Sequence, residues 1–161
     1  MEGARAGAHP GRMTTVLNAA GEGVELVSPD ATFTVKAHEG QTGGFDLFEV
    51  DIPRGPTVPP HATPWGVTFY VLHGRTAVLV DGEVHDLGPG STLTIPPGAH
   101  HTLTVHTPTV QLLAISPTDR MRRFFVDVDA AVPPGTPVAE AAGALGEIAA
   151  RHGVTVGDWP S

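Results

Sequence analysis

The stretch "VTFYVLHGRTAVLVDGEVHDLGPGSTLTIPPGAHHTLTV", residues 67–105, changes character every few residues. Short runs of Val, Thr, Leu and Ile are cut by "HG", "DG", "GPG" and "PPG". β-Branched runs fit a pleated, half-buried surface, and Gly and Pro break them. Asp81-Gly82 is a two-residue hairpin signal, because Gly readily takes the positive φ such a turn needs. The same rhythm continues upstream in "VEL", "ATFTVKA" and "FDLFEVDI", and downstream in "VQLLAI". From Val24 to Ser116 the chain reads as an antiparallel β barrel or sandwich.

Composition agrees with one such domain. The chain has 161 residues, 40% of them hydrophobic and 16% charged, with 20 Gly and 16 Pro. That length suits a single core, and the Gly and Pro favour turns over long helices. The formal net charge is −8 with only nine Lys and Arg, so a phosphate-binding groove is not expected and nucleic acid is excluded as a partner. Arg120, Arg122 and Arg123 form the one basic cluster, which reads as a solvated helix face beside Asp119. The chain lacks cysteine, which removes disulfides, thiolate metal sites and cysteine nucleophiles. No apolar run has the length of a membrane span and no leader-like apolar segment opens the chain, so a cytoplasmic protein without a membrane partner is expected. Residues 1–12, small and Gly-rich, are expected to be disordered, and Met13 is an alternative start.

After Ser116-Pro117 the pattern turns helical. "TDRMRRFF" reads as a short helix with Thr118 as its cap. A longer helix is expected over 137–152, with Thr136 as cap, Pro137 at its first position and Gly153 as its end. Val138, Ala141, Ala142, Leu145, Ile148 and Ala149 recur at helical spacing. The expected organisation is therefore 1–12 as a tail, 13–117 as the barrel and 118–161 as a helical arm.

Two segments carry a resemblance. "RGPTVPPHATPWGVTFYVLHG" and "GPGSTLTIPPGAHHTLTV" resemble the paired motifs of the cupin superfamily. Gly55, His61 and Gly74 match the first motif, and Gly90, Pro96, Gly98 and His101 match the second. The resemblance covers roughly residues 40–116 and extends to small bacterial cupins of the quercetin 2,3-dioxygenase-like and polyketide-cyclase-like kinds. It implies an all-β, double-stranded β-helix (a jelly-roll barrel) with the arm packed on it. It also implies a divalent metal held by three His and one Glu, of a type that suits Fe, Mn, Ni or Zn. Here the second His position is Thr63, and the Glu position falls on Thr68 or Val67. Only His61 and His101 remain as metal ligands, fewer than catalytic zinc or non-haem iron sites normally use. Glu49 supplies a carboxylate only if its side of the strand faces inward.

Strand alternation selects the inward residues. His101 shares parity with Leu103 and Val105, so it points into the barrel, while His100 and His106 point out. His73, His85, His9, His38 and His152 read as surface residues. Tyr70 and Leu72 share a face with Thr68, which makes Tyr70 a candidate proton donor. Trp65 sits in a short loop, where it stacks on a planar ligand or caps the barrel.

Without a tightly held metal, two imidazoles in an apolar pocket suit acid–base work. The expected catalytic set is His61, His101 and Tyr70, with Thr63, Trp65, Thr68, Leu72 and Leu103 around a small-molecule substrate and no cofactor. Cyclisation, isomerisation or dehydration of an apolar, oxygenated, polyketide-like metabolite fits such a set. A metal-dependent, quercetinase-like dioxygenase and a non-catalytic binding protein stay open beside it. The resemblance also implies a homodimer, with "ATFTVKA" as an interface strand because exposed strand edges tend to be covered.

Overall fold

The computed structural model describes residues 14–157. The tail 1–12, His9 and the alternative start Met13 lie outside the described residues. Strands β1 (Val24–Val27), β2 (Thr32–Ala37) and β3 (Phe45–Pro53) come first, with a single-turn helix α1 (Glu39–Thr42) between β2 and β3. Then follow β4 (His61–Ala62), β5 (Val67–His73), β6 (Thr76–Val80), β7 (Glu83–Leu87), β8 (Thr92–Ile95), β9 (His101–Val105) and β10 (Thr109–Pro117). Helices α2 (Arg120–Ala131) and α3 (Val138–His152) lead to a last strand, β11 (Thr155–Val156).

The strands form two antiparallel sheets. One runs β1-β2-β3-β10-β5-β8 and the other β11-β4-β9-β6-β7. Their inner faces enclose the core, in which Phe48, Val50, Val71, Val78, Val110 and Leu112 are buried. The body is all-β, a jelly roll with a C-terminal helical arm, as the strand rhythm implies. The hairpin at Asp81-Gly82 joins β6 to β7 with φ of 47° and 84°, the left-handed pair a two-residue turn requires. At Gly74, between β5 and β6, a Cβ would collide with the carbonyl oxygen of Thr109, so the turn accepts only glycine.

Several local expectations need correction. β2 is not an edge strand, because β1 and β3 hydrogen-bond both of its sides. The chain itself covers the edge that "ATFTVKA" was expected to offer. α2 is longer than "TDRMRRFF"; its N-cap position is Asp119, whose side chain makes no cap hydrogen bond, while Thr118 sits at φ 65° in the turn before it. α3 begins after Pro137, and the Thr136 hydroxyl donates to the Pro133 carbonyl instead of capping. Gly153 ends α3 in the left-handed conformation, as expected.

The arm is tied to the barrel by buried polar contacts. Arg122 does not sit on a solvated face: its Nε lies 3.4 Å from Oδ2 of Asp46, whose side chain is fully buried. The other Asp46 oxygen accepts the Glu39 N–H at 2.6 Å. His152 is likewise not a free surface residue, since its Nε2 lies 2.6 Å from Asp127 Oδ2 across the two helices. Val128, Val132, Ala141 and Ile148 form a small second core between α2 and α3. β11 then returns to the barrel and pairs Val156 with His61.

Candidate functional site

His61 and His101 are direct cross-strand partners on β4 and β9. Their ring centroids are 4.4 Å apart, with the planes tilted by 56°. Turn chemistry places both. The N–H of Gly98, in the "PPG" turn, donates to the Thr63 carbonyl. The tip of the β6–β7 hairpin is bonded to the neighbouring backbone: Asp81 N–H donates to the His100 carbonyl, and Asp81 Oδ1 accepts the His100 N–H. β4 is held from its other side by β11, and the Gly157 N–H donates to the Pro60 carbonyl.

The two rings are wired alike. His61 Nδ1 lies 3.2 Å from the Pro59 carbonyl, and His101 Nδ1 lies 3.1 Å from the Ala99 carbonyl. A carbonyl only accepts, so each neutral ring carries its proton on Nδ1 and leaves the Nε2 lone pair open. Burial pushes His101 down to about 4, and the neighbouring His61 adds to the fall. The Ala99 carbonyl and Asp81 oppose it. Burial also lowers His61, against the pull of the Pro59 carbonyl, with His100 adding a smaller lowering. Both rings are therefore neutral at pH 7, and each offers an Nε2 acceptor.

These rings line a cavity of about 550 Å³ that continues from the barrel interior to the inner surfaces of α2 and α3. That volume suits a small molecule. Thr63, Trp65 and Leu103 also line it. The Thr63 hydroxyl donates to the Trp65 carbonyl at 2.7 Å, so toward a ligand it is an acceptor only. Trp65 is a buried wall, with its ring centroid 5.7 Å from that of Phe124.

Thr68, Tyr70 and Leu72 are not in the cavity. Val67 and Phe69 line it, so the opposite side of β5 faces out. Tyr70 is 40% exposed, and the Thr68 hydroxyl pairs with that of Thr94. The sequence misleads here because both sides of β5 carry apolar residues, and alternation alone does not choose between them. Glu49 fails as a metal ligand for the same kind of reason. It accepts from Gln111 Nε2 at 2.9 Å on the side of β3 opposite the buried Phe48 and Val50.

The donor set does not fit the four-ligand metal site of the resemblance. The cavity residue at the Glu position is Val67, and Thr63 is a neutral hydroxyl. Among the described residues no group of three or more His, Cys, Asp or Glu could hold a metal ion.

Sequence reasoning missed the part of the pocket that the arm supplies. Phe125 stacks on Phe33 at 3.8 Å, and Phe124 meets Phe125 edge-on at 5.1 Å. Both line the cavity, together with Met121. The available signal is "RMRRFF", whose adjacent aromatics need a hydrophobic surface to cover them.

Comparison with known proteins agrees with this fold. A family model described as a cupin domain matches residues 48–116. No curated protein matches the sequence. Among solved structures, the chain is similar to the polyketide cyclase RemF from Streptomyces resistomycificus, with 25% identity and a TM-score of 0.54 over 65% of this chain and 80% of that one. It shares the fold of an RmlC-like cupin from Shewanella frigidimarina, with 16% identity and a TM-score of 0.59 over 68% and 96% of the two chains. It also shares the fold of KdgF from Halomonas sp., with 24% identity and a TM-score of 0.51 over 56% and 81%. With two sheets, both histidine motifs and the matching model in agreement, residues 48–116 form a cupin domain.

Proposed function

We propose that the protein is a small-molecule enzyme that uses His61 and His101 as a proton-transfer pair on an apolar, oxygenated, polyketide-like substrate. The observation that carries the reading is the paired, neutral imidazoles with open Nε2 atoms in a largely apolar cavity. One Nε2 takes a proton from a carbon beside a carbonyl, and the pair returns it at another atom. Cyclisation, isomerisation and dehydration all proceed by such transfers and need no electron sink. The fold shared with a polyketide cyclase supports the substrate class. No resident cofactor is required; a divalent metal, if held, would sit on His61 and His101.

A convenient probe is 2-tetralone, an apolar bicyclic ketone. Its α-proton exchange in heavy water is followed by proton NMR. The protein is expected to accelerate the exchange, and His61→Ala or His101→Ala to reduce that acceleration about 100-fold. Equal rates in all three proteins would overturn the reading. Binding of the ketone without acceleration would instead favour a non-catalytic binding protein. The dioxygenase reading asks for a third protein ligand, which the described residues do not supply.

We further infer a cytoplasmic homodimer. Phe45, Tyr70 and Ile115, each about two-fifths exposed, lie on the outward side of the six-stranded sheet and support a second copy there. A monomer mass in light scattering would remove the dimer.

A further inference from the structure

The cavity is open on the side where α3 runs past it. Val138, Ala142 and Gly146 line it at successive intervals of four residues, which places them on one face of the helix. Ala142 and Gly146 are exposed, whereas Ala149, farther along the lining, is buried. The row therefore leads from solvent into the wall. The exposed loop residues Arg54 and Gly55 also line the cavity.

Glycine is a poor residue inside a helix. Gly146 has no positive φ to require it, and a Cβ there would meet nothing within 4 Å. Neither backbone nor packing demands glycine at this position. What Gly146 provides is empty space at the opening.

A second observation points to a ligand in this space. His101 is only 7% exposed and lines the same cavity. Its Nδ1 is bonded to the Ala99 carbonyl, and its Nε2 has no hydrogen-bond partner among the described residues. The side chain is otherwise enclosed, so this open acceptor is available to a donor group of a ligand in the cavity.

We propose that Val138, Ala142 and Gly146 form a size filter, and that the space they bound takes the apolar tail or outer ring of a ligand whose oxygenated end meets His61 and His101. The proposal deepens the proton-transfer reading and rests on it for the position of the polar end. The ligand class is a weakly acidic, hydroxyl-bearing head, which donates to an open Nε2, joined to an extended hydrocarbon body. Polar lining groups other than the histidine pair and Thr63 are few and include Ser28, Asp30 and Arg54.

The test uses 4-ethylphenol and 4-octylphenol as probes, with affinities measured by calorimetry on the full chain. Each buried methylene is worth about a fourfold gain in affinity. The unmodified protein should thus bind the octyl compound at least about tenfold more tightly. Gly146→Leu, and separately Ala142→Leu, should remove most of that advantage and leave 4-ethylphenol within about twofold. Gly143→Leu is the control: Gly143 lies on the same helix, does not line the cavity, and has nothing within 4 Å of a Cβ. It should alter neither probe. Equal loss for both probes, no loss in either filter variant, or the same loss in Gly143→Leu overturns the filter. His61→Ala reports on the other reading. If it leaves both phenols unchanged while Gly146→Leu stays selective, the filter stands and the histidine assignment falls.

Discussion

His101 occupies its position because three local features agree. The strand alternates, the "PPG" turn delivers the chain to the start of β9, and the Ala99 carbonyl holds Nδ1. Its neutrality has a measurable consequence. The folded protein binds a proton on His101 only near pH 4, whereas the unfolded chain binds one near 6.5. Between those values the unfolded state holds more protons, so stability is lost as pH falls from about 6.5 to about 4. The shift corresponds to about 3 kcal/mol. Urea unfolding of His101→Gln, which has nothing to titrate there, should show a shallower loss over this window. For activity the sign is the same: a base must be unprotonated, so 2-tetralone exchange should hold level through neutrality and fall as pH drops toward 4. An acid limb near 6.5 would place the working base elsewhere. His101 was legible in the sequence because Leu103 and Val105 share its parity. Tyr70 is not legible in this way, because both sides of β5 carry apolar residues. The exposure of Tyr70 and the place of Val67 and Phe69 on the cavity wall show which side faces out.

At the scale of elements, two attachments decide how the arm meets the barrel. The first is the ion pair of Arg122 with Asp46. Arg122→Met would leave the buried carboxylate without its cation, at a cost of about 3 kcal/mol read from urea unfolding. An unchanged midpoint would mean that the pair does not anchor α2. The second is β11, which lies beside β4 opposite β9. Removing residues 154–161 would free that side of β4 and take Val154 from the core. Faster amide exchange at Ala62, with weaker tetralone exchange, is the expected result; unaltered protection at Ala62 would contradict it. Between the helices, the hydrogen bond from His152 is the main cause that holds the Asp127 carboxyl below its usual range, with Arg151 and Arg123 adding to it. That contribution is present above the ordinary carboxylate pKa and is lost as pH falls through the lowered value. The sequence announced α3 through its apolar spacing and Gly153. It did not announce β4 or β11, because two-residue strands have no periodicity and exist only through their partners.

For the molecule as a whole, the fold class and the cupin resemblance are readable from turn signals and two motifs, whereas the order of strands in the sheets and the shape of the pocket are not. The motifs lie within the barrel, but Met121, Phe124, Phe125 and the α3 row come from outside it. Such residues look like ordinary amphipathic packing until the topology sets them over the opening. Among the described residues no helix is long and apolar enough to cross a membrane. The resemblance implies a four-ligand metal site, and the local chemistry departs from that pattern at Thr63, Val67 and Glu49. The most direct test of that departure is tetralone exchange by protein dialysed against a strong chelator. The account predicts an unchanged rate after dialysis and loss of acceleration in His61→Ala and His101→Ala. Loss of activity on chelation, restored by Fe, Mn, Ni or Zn, would contradict it.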